Sequence, residues 1–245
     1  MSTAPLFLVP VLPSSGSLLL DGAEGRHAAT VKRLRAGEAV LLADGRGGLA
    51  HGVVASTGRD TVTVTIEARE DLAPPAPRVL LAQALVKGDR GELAVELATE
   101  AGVDGILPWR AARCVARWED GPRGDKALAK WRSTVREAAK QARRPWLPEV
   151  EEPVSTPALA RRVAEVACAL VLHEAATDHL ADVALPAEGD VLLVVGPEGG
   201  VSDEEIAALV GAGARPVRLG PEVLRASTAA AVALGAIGVL TGRWS

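Results

Sequence analysis

The residues whose types and spacing could do chemistry gather near the C-terminal end of this sequence. A strand-like apolar run, Asp190 to Val195, empties into Gly196-Pro197-Glu198-Gly199-Gly200 and then into Ser202-Asp203-Glu204-Glu205. Ligands of open α/β sheets bind where strands end in turns of this kind. Glycine lacks Cβ and can take φ > 0, so the turn offers main-chain groups at close range, and Ser202 followed three residues later by Glu205 is a capping-box signature for a helix. The turn has neither the Lys-Ser/Thr of a phosphate-binding loop nor the spaced glycines of a dinucleotide fingerprint. Glu198 inside it would repel an anion. A second turn follows, Leu219-Gly220-Pro221-Glu222-Val223-Leu224-Arg225, and runs into an apolar helix. Two strand–turn–helix units in succession point to one small-molecule pocket built from two loops.

The elements that must position these turns can be read coarsely. Up to about Leu72, short alternating runs at Ala39 to Ala43 and Thr61 to Ile66, with turn residues at Asp44-Gly45-Arg46-Gly47-Gly48, predict hairpins of a small antiparallel sheet or barrel. Three prolines within Ala73 to Pro77 predict a stiff connector. Beyond it, strand-like segments (Val79 to Ala84, Gly105 to Pro108, Ala167 to Leu172, Val191 to Val195, Pro216 to Leu219) alternate with helical ones (Glu92 to Ala101, Lys126 to Ala142, Thr156 to Glu165, Asp203 to Gly211, Ser227 to Leu240). That alternation predicts a mostly parallel α/β sheet.

Composition bounds the function class. With 245 residues, 48% hydrophobic and 24% charged, the chain can form one large or two smaller globular domains. Cys114 and Cys168 match no metal spacing and give no disulfide framework, so free thiols, no metal site and a reducing compartment are expected. The opening MSTAPLFLVPVLP lacks a basic leader region, and the longest apolar run is shorter than the ~20 residues that span a bilayer; cytoplasmic residence is the expectation. A net charge of −4 argues against a nucleic-acid protein, yet Arg110 to Trp146 carries eleven Lys or Arg against four acids, a local balance of +7. Charge alone leaves a solvated basic helix and an RNA surface both open. With no Tyr and one Phe, an aromatic platform of the RRM type is excluded.

One resemblance ties these features together. His27 to Gly37 (HAATVKRLRAG), Lys87-Gly88-Asp89-Arg90, Ala98 to Val103, Arg113, Glu137-Ala138-Ala139 with Gln141 and Arg144, Pro148-Glu149-Val150, Leu172-His173-Glu174, Gly196 to Gly200, and Leu219-Gly220 with Leu224-Arg225 and Thr228-Ala229 occur in a specific order. In them the chain resembles the SPOUT-superfamily methyltransferases of the RsmE type, which methylate N3 of a uridine in small-subunit (16S) ribosomal RNA. Ser227 stands where that family usually has glutamate, Leu97 where lysine is common and Ala101 where leucine is usual.

The resemblance implies a PUA-like β-barrel that binds RNA over residues 1–72, a linker over 73–78, and a SPOUT α/β domain with a trefoil knot over 79–245. It also implies a homodimer and S-adenosylmethionine as methyl donor. Carried over position by position, the donor site comprises Leu172, His173, Glu174, Gly196, Pro197, Glu198, Gly199, Gly200, Leu219, Gly220, Leu224, Arg225, Ser227, Thr228 and Ala229. Arg225 is the first candidate to stabilise the developing uracil anion, with Glu174 or Glu198 as proton acceptor. The alternative for Arg225 is an ion pair with Glu222 or Glu198, and for His173 a satisfied strand-end histidine, the usual reading of a lone histidine. RNA contacts are expected from His27, Lys32, Arg33 and Arg35, and from Lys87, Arg90, Arg113 and Arg144 in the catalytic domain. Two other readings stand beside this one: ribose 2′-O-methylation of rRNA or tRNA, and a non-catalytic RNA-binding assembly factor.

Overall fold

The computed structural model describes residues 4–244. Met1, Ser2, Thr3 and Ser245, which the expected domain limits include, lie outside the described residues. The chain divides into two compact units, one of the residues up to Pro74 together with Ala139–Leu147, the other of Pro75–Ala138 and the residues from Pro148 on.

The N-terminal unit contains β1 (Leu6–Leu8), β2 (Gly16–Leu20), a short helix α1 (Gly22–Arg26) continued by a π-helical turn (His27–Val31), β3 (Ala39–Ala43), β4 (Gly48–Thr57) and β5 (Val62–Asp71). These form a five-stranded sheet of order β1-β3-β4-β5-β2, antiparallel except for the β1–β3 pair. The TVTVTI alternation works as strand chemistry predicts: Val62, Val64 and Ile66 face a core with Phe7, Leu20, Leu42 and Val54. The Asp44 carboxylate closes the β3–β4 turn by accepting from the N–H groups of Arg46 (2.7 Å) and Gly48 (3.0 Å). The segment Ala139–Leu147 joins this unit through Trp146, whose indole N–H donates to the carbonyls of Leu72 and Ala73, both at 3.2 Å.

The C-terminal unit holds β6 (Arg78–Ala84), α2 (Arg90–Glu100), β7 (Gly105–Arg110), most of α3 (Pro122–Gln141), β8 (Glu149–Val150), β9 (Val154–Ser155), α4 (Thr156–Glu165), β10 (Cys168–Leu172), β11 (Asp190–Val195), α5 (Asp203–Gly211), β12 (Arg215–Val217) and α6 (Ala226–Leu240). The sheet order is β12-β10-β11-β6-β7-β8, with β9 beside β7, and every pairing is parallel. Helices cover both faces, which is why VLLAQA and DVLLVV read as nearly continuous apolar runs rather than alternating ones. One face packs Leu80, Leu107, Trp109, Val171, Leu192 and Val194 against Leu159 and Val163 of α4 and Leu209 of α5. On the unit's other helices, α2 packs along α6, and α6 lies on β6 and β11.

Chain order and sheet order part company here. β11 enters between β6 and β10, and β12 then returns to the outer side of β10. All these strands point the same way, so the turns after β10, β11 and β12 open on one edge of the sheet, the place where such sheets hold ligands. Among the described residues no helix is long and apolar enough to cross a membrane.

Candidate functional site

A cleft of about 410 Å³ opens at this edge. The turn after β10 contributes Leu172, His173 and Glu174; the turn after β11 contributes Gly196, Pro197, Glu198 and Gly200; the loop after β12 contributes Leu219, Gly220, Leu224 and Arg225, with Ala229 from α6. Three expected members are placed elsewhere. The Gly199 carbonyl accepts from the Arg113 guanidinium at 3.2 Å, the Thr228 hydroxyl turns back to the Arg225 carbonyl at 3.2 Å, and Ser227 is buried in the first turn of α6. None of the three is among the residues that line the cleft, whereas Ala226 and Ala229 on either side of Ser227 and Thr228 are.

Local chemistry holds the walls. The capping box forms as expected: the Ser202 hydroxyl accepts from the Glu205 N–H and the Glu205 carboxylate accepts from the Ser202 N–H, each at 3.2 Å. The same carboxylate also accepts from the Ala112 N–H (2.9 Å) and the Thr156 hydroxyl (2.7 Å), and Thr156 in turn accepts from the Trp109 indole at 3.1 Å. A buried acid thus ties the helix after the glycine turn to the loop after β7. Glycine at 196 is required by space, because a Cβ there would meet Val201 Cγ2 at 2.6 Å, and Gly200 takes φ +74°. The Lys87 N–H donates to Glu198 Oε1 at 3.3 Å, linking the β6 and β11 turns. Glu204 is held below the usual carboxylate range by hydrogen bonds from its own N–H and from Ser202, with a smaller contribution from Arg113.

The rim is mixed in charge. Glu174, Glu198 and Glu222 lie on it with Arg90, Arg218 and Arg225. Arg225 is exposed and makes no ion pair among the described residues, which removes the expected alternative of a bridge to Glu222 or Glu198. The Arg218 guanidinium lies against the His179 ring, with a closest approach of 2.8 Å to Nε2. His173 is partly buried, its main-chain N–H on the Val217 carbonyl at 3.0 Å and its ring Nδ1 accepting from Ala175 at 3.3 Å. Sequence reasoning missed Arg218 and Glu222 as wall residues; their only signal was position in the loop between β12 and α6.

The expected RNA-contact residues fall into both units. His27, Lys32, Arg33, Arg35 and Arg144 belong to the N-terminal unit, and Lys87, Arg90 and Arg113 to the C-terminal one. Arg144 was expected in the catalytic domain; the packing of Ala139–Leu147 puts it with the sheet of β1 to β5 instead. Lys32, Arg33 and Arg35 are exposed, whereas the His27 ring packs edge-on to Phe7 with centroids 6.0 Å apart. Part of the basic segment is internally engaged: Arg110 pairs with Asp120, Lys130 with Glu92, Arg132 with Glu152, and nearly buried Lys140 with Glu24. The local excess of positive charge therefore overstates what is left unpaired, although of these four only Lys140 is withdrawn from solvent.

Comparison with known proteins agrees with this geometry. Residues 74–238 match the RNA methyltransferase domain model and residues 20–67 the RNA methyltransferase PUA domain model. The chain is 54% identical to the ribosomal RNA small subunit methyltransferase E of Mycobacterium bovis, over 98% of this chain and 94% of that one. It is 29% identical to the Bacillus subtilis protein of the same name, over 91% and 90%. A Legionella pneumophila methyltransferase solved with its bound cofactor S-adenosylmethionine superposes with a TM-score of 0.86 at 31% identity, covering 97% of this chain and 98% of that one. The Neisseria gonorrhoeae ribosomal RNA small subunit methyltransferase E, bound to S-adenosylmethionine, gives 0.85 at 26% identity with the same coverage. With a PUA domain followed by a parallel α/β domain of the SPOUT class, the chain belongs to the ribosomal RNA small subunit methyltransferase E family.

Proposed function

We propose that this protein transfers a methyl group from S-adenosylmethionine to N3 of a specific uridine in 16S ribosomal RNA. The observation that carries the reading is the cleft at the ends of β10, β11 and β12, lined by residues of their three turns and rimmed by carboxylates, in a chain of this family. The residues present fit the donor. Main-chain amides and carbonyls around Leu172, Gly196 and Leu219 suit the edge of an adenine, and Glu174, Glu198 and Glu222 suit a cationic sulfur while disfavouring a phosphate.

When bound, S-adenosylmethionine supplies an activated methyl on a sulfonium for in-line displacement. The chain's own task is first to position: the glycine turn and the loop from Arg218 to Arg225 hold the donor so that the uracil nitrogen can approach along the methyl–sulfur axis. The neutral imide N3 is a poor nucleophile, so its proton must leave. Glu174 or Glu198 accepts it, and Arg225 stabilises the negative charge that spreads onto the flanking carbonyl oxygens. Residues 1–72, with Ala139–Leu147 packed on them, hold RNA, and the rest of residues 79–245 forms the catalytic domain after the 73–78 linker. The enzyme works as a cytoplasmic homodimer, on RNA within the small ribosomal subunit.

The test is methyl transfer to small ribosomal subunits lacking the modification, read by nucleoside mass spectrometry, with Arg225→Ala alongside. N3-methyluridine from the wild type, and a kcat lowered about 10²-fold or more in the variant with donor affinity retained, is the expected result. A 2′-O-methylated nucleoside would reassign the reaction. RNA binding without methylation or donor affinity would reduce the protein to an assembly factor.

A further inference from the structure

A second cavity, of about 260 Å³, lies in the C-terminal unit and shares no residue with the donor cleft. Leu85, at the end of β6, and Ala111 and Ala116, after β7, give it an apolar floor, and Trp118, Arg110 and Arg117 stand around it. Four of the chain's five Trp residues are otherwise occupied or lie elsewhere: Trp109 and Trp131 are fully buried, Trp146 covers Gly47, and Trp244 packs on Gly238. Trp118 is half-buried, its ring edge-on to Trp131 at 4.8 Å and 77°. That contact fixes the indole plane while the ring still lines the cavity. Arg110 is held by Asp120 at 2.8 Å, but Arg117 is exposed and makes no ion pair among the described residues.

We infer that this cavity receives one nucleotide of the substrate RNA, next to the uridine that is methylated, with its base stacked on Trp118 and its phosphate at Arg117. The inference rests on the proposed methyltransferase reading and deepens it. An indole of fixed orientation beside a free guanidinium is the chemistry that holds a single unpaired nucleotide, since every base has a π-face and arginine matches phosphate. Position supports it as well. β11, β6 and β7 are consecutive parallel neighbours, so their C-terminal ends share one edge, and β7 lies two strand spacings, about 10 Å, from β11. That is too far for the base facing the donor and suits a neighbour along the strand. Glu119, also on the wall, can accept from an amino or imino N–H of the base and so discriminate among bases.

The experiment uses the full chain and small ribosomal subunits lacking the modification, comparing wild type with Trp118→Ala, Trp118→Phe, Arg117→Ala and the cavity-filling Ala116→Trp. Steady-state methylation gives KM for RNA and for donor, and filter binding gives RNA affinity against salt. Expected are an RNA KM raised about tenfold in Trp118→Ala and in Ala116→Trp, near-wild-type behaviour in Trp118→Phe, and unchanged donor KM throughout. Arg117→Ala should make the log-affinity against log-salt slope shallower by about one phosphate contact. If Ala116→Trp, which leaves the Trp118–Trp131 contact in place, and Trp118→Ala both bind RNA within twofold of wild type, the inference is overturned while the methyltransferase reading survives. If the wild type forms no N3-methyluridine yet RNA affinity still depends on Trp118, the functional reading fails and the nucleotide pocket stands.

Discussion

The Glu205 carboxylate accepts a hydrogen bond from the Ala112 N–H at 2.9 Å, across 93 residues of chain. It also accepts from Ser202 and Thr156, so one buried acid joins the start of α5, the start of α4 and the loop after β7. Replacing it by alanine leaves these buried donors without an acceptor. Glu205→Ala should lose about 2–3 kcal/mol and Glu205→Gln less, read as a lower urea midpoint at unchanged slope.

Near its C-terminal end, Arg243 is nine-tenths buried and pairs with Asp104 at 2.7 Å, while also donating to the Gly102 carbonyl at 2.7 Å and to that of Pro77. Asp104 in turn accepts from the Val79 N–H at 2.8 Å, anchoring the first strand of the parallel sheet. Removing one partner strands a buried charge. Arg243→Ala should cost about 3–5 kcal/mol, and the double variant Arg243→Met/Asp104→Asn should recover part of it, because Asn can still accept from Val79. Calorimetric or denaturant unfolding of the two variants provides the check.

In the N-terminal unit, Gly47 has φ +99°, and a Cβ on it would meet the Leu72 carbonyl and the Trp146 ring, each at 2.6 Å. Gly47→Ala combines backbone strain with overpacking, for an expected loss of about 2–4 kcal/mol. Trp146 fluorescence should report the transition at a lower denaturant concentration than in the wild type.

Burial pushes the Cys114 and Cys168 thiols above the usual thiol range. The folded chain therefore holds these protons more tightly than the unfolded one. The resulting stabilisation is complete below the unfolded thiol pKa of about 8.5 and is lost as pH rises through the raised folded values. Stability should fall with pH in that alkaline window, and the fall should be shallower in Cys114→Ala/Cys168→Ala. At neutral pH, iodoacetamide should label the native thiols far more slowly than the denatured ones, as mass spectrometry can follow.

On the donor cleft, Glu198→Gln keeps an acceptor for the Lys87 N–H but removes a negative charge from the rim. Its affinity for S-adenosylmethionine should fall by up to about fivefold, the range of an exposed charge interaction. S-adenosylhomocysteine, which lacks the sulfonium charge, should bind as before. Equal losses for both ligands in calorimetric titration would show that Glu198 acts through shape rather than charge.

Local pattern made most elements of the C-terminal unit legible. Thr156–Glu165 and Asp203–Gly211 are helices over the expected residues, the second with its capping box, because cap chemistry and helical period act within a few residues of each other. β3 likewise spans the expected Ala39–Ala43. Most of the other runs expected to be strands come out shorter or longer at their ends: β12 stops at Val217 rather than Leu219, where the chain must turn into the cleft wall, β7 continues to Arg110, β5 runs on from Ile66 to Asp71, and β6, β10 and β11 each shift by one residue at their starts. β1, only three residues long, had no period to show and exists because β3 offers it a parallel partner. The π-helical turn at His27–Val31 has no pattern of its own either.

The sequence by itself determined the strand–turn–helix units, the glycine turns and the family, since each depends on residues adjacent in the chain or on their order. It was silent on three things that depend on contacts between distant residues. The insertion of β11 between β6 and β10 brings three turns to one edge; the docking of Trp146 over Gly47 moves Arg144 into the N-terminal unit; and the contact of Trp118 with Trp131 leaves an indole beside a second cavity. Propensity and periodicity act over a turn or two of chain, whereas strand order and side-chain packing minimise the free energy of the whole folded unit, and only the tertiary structure contains that result.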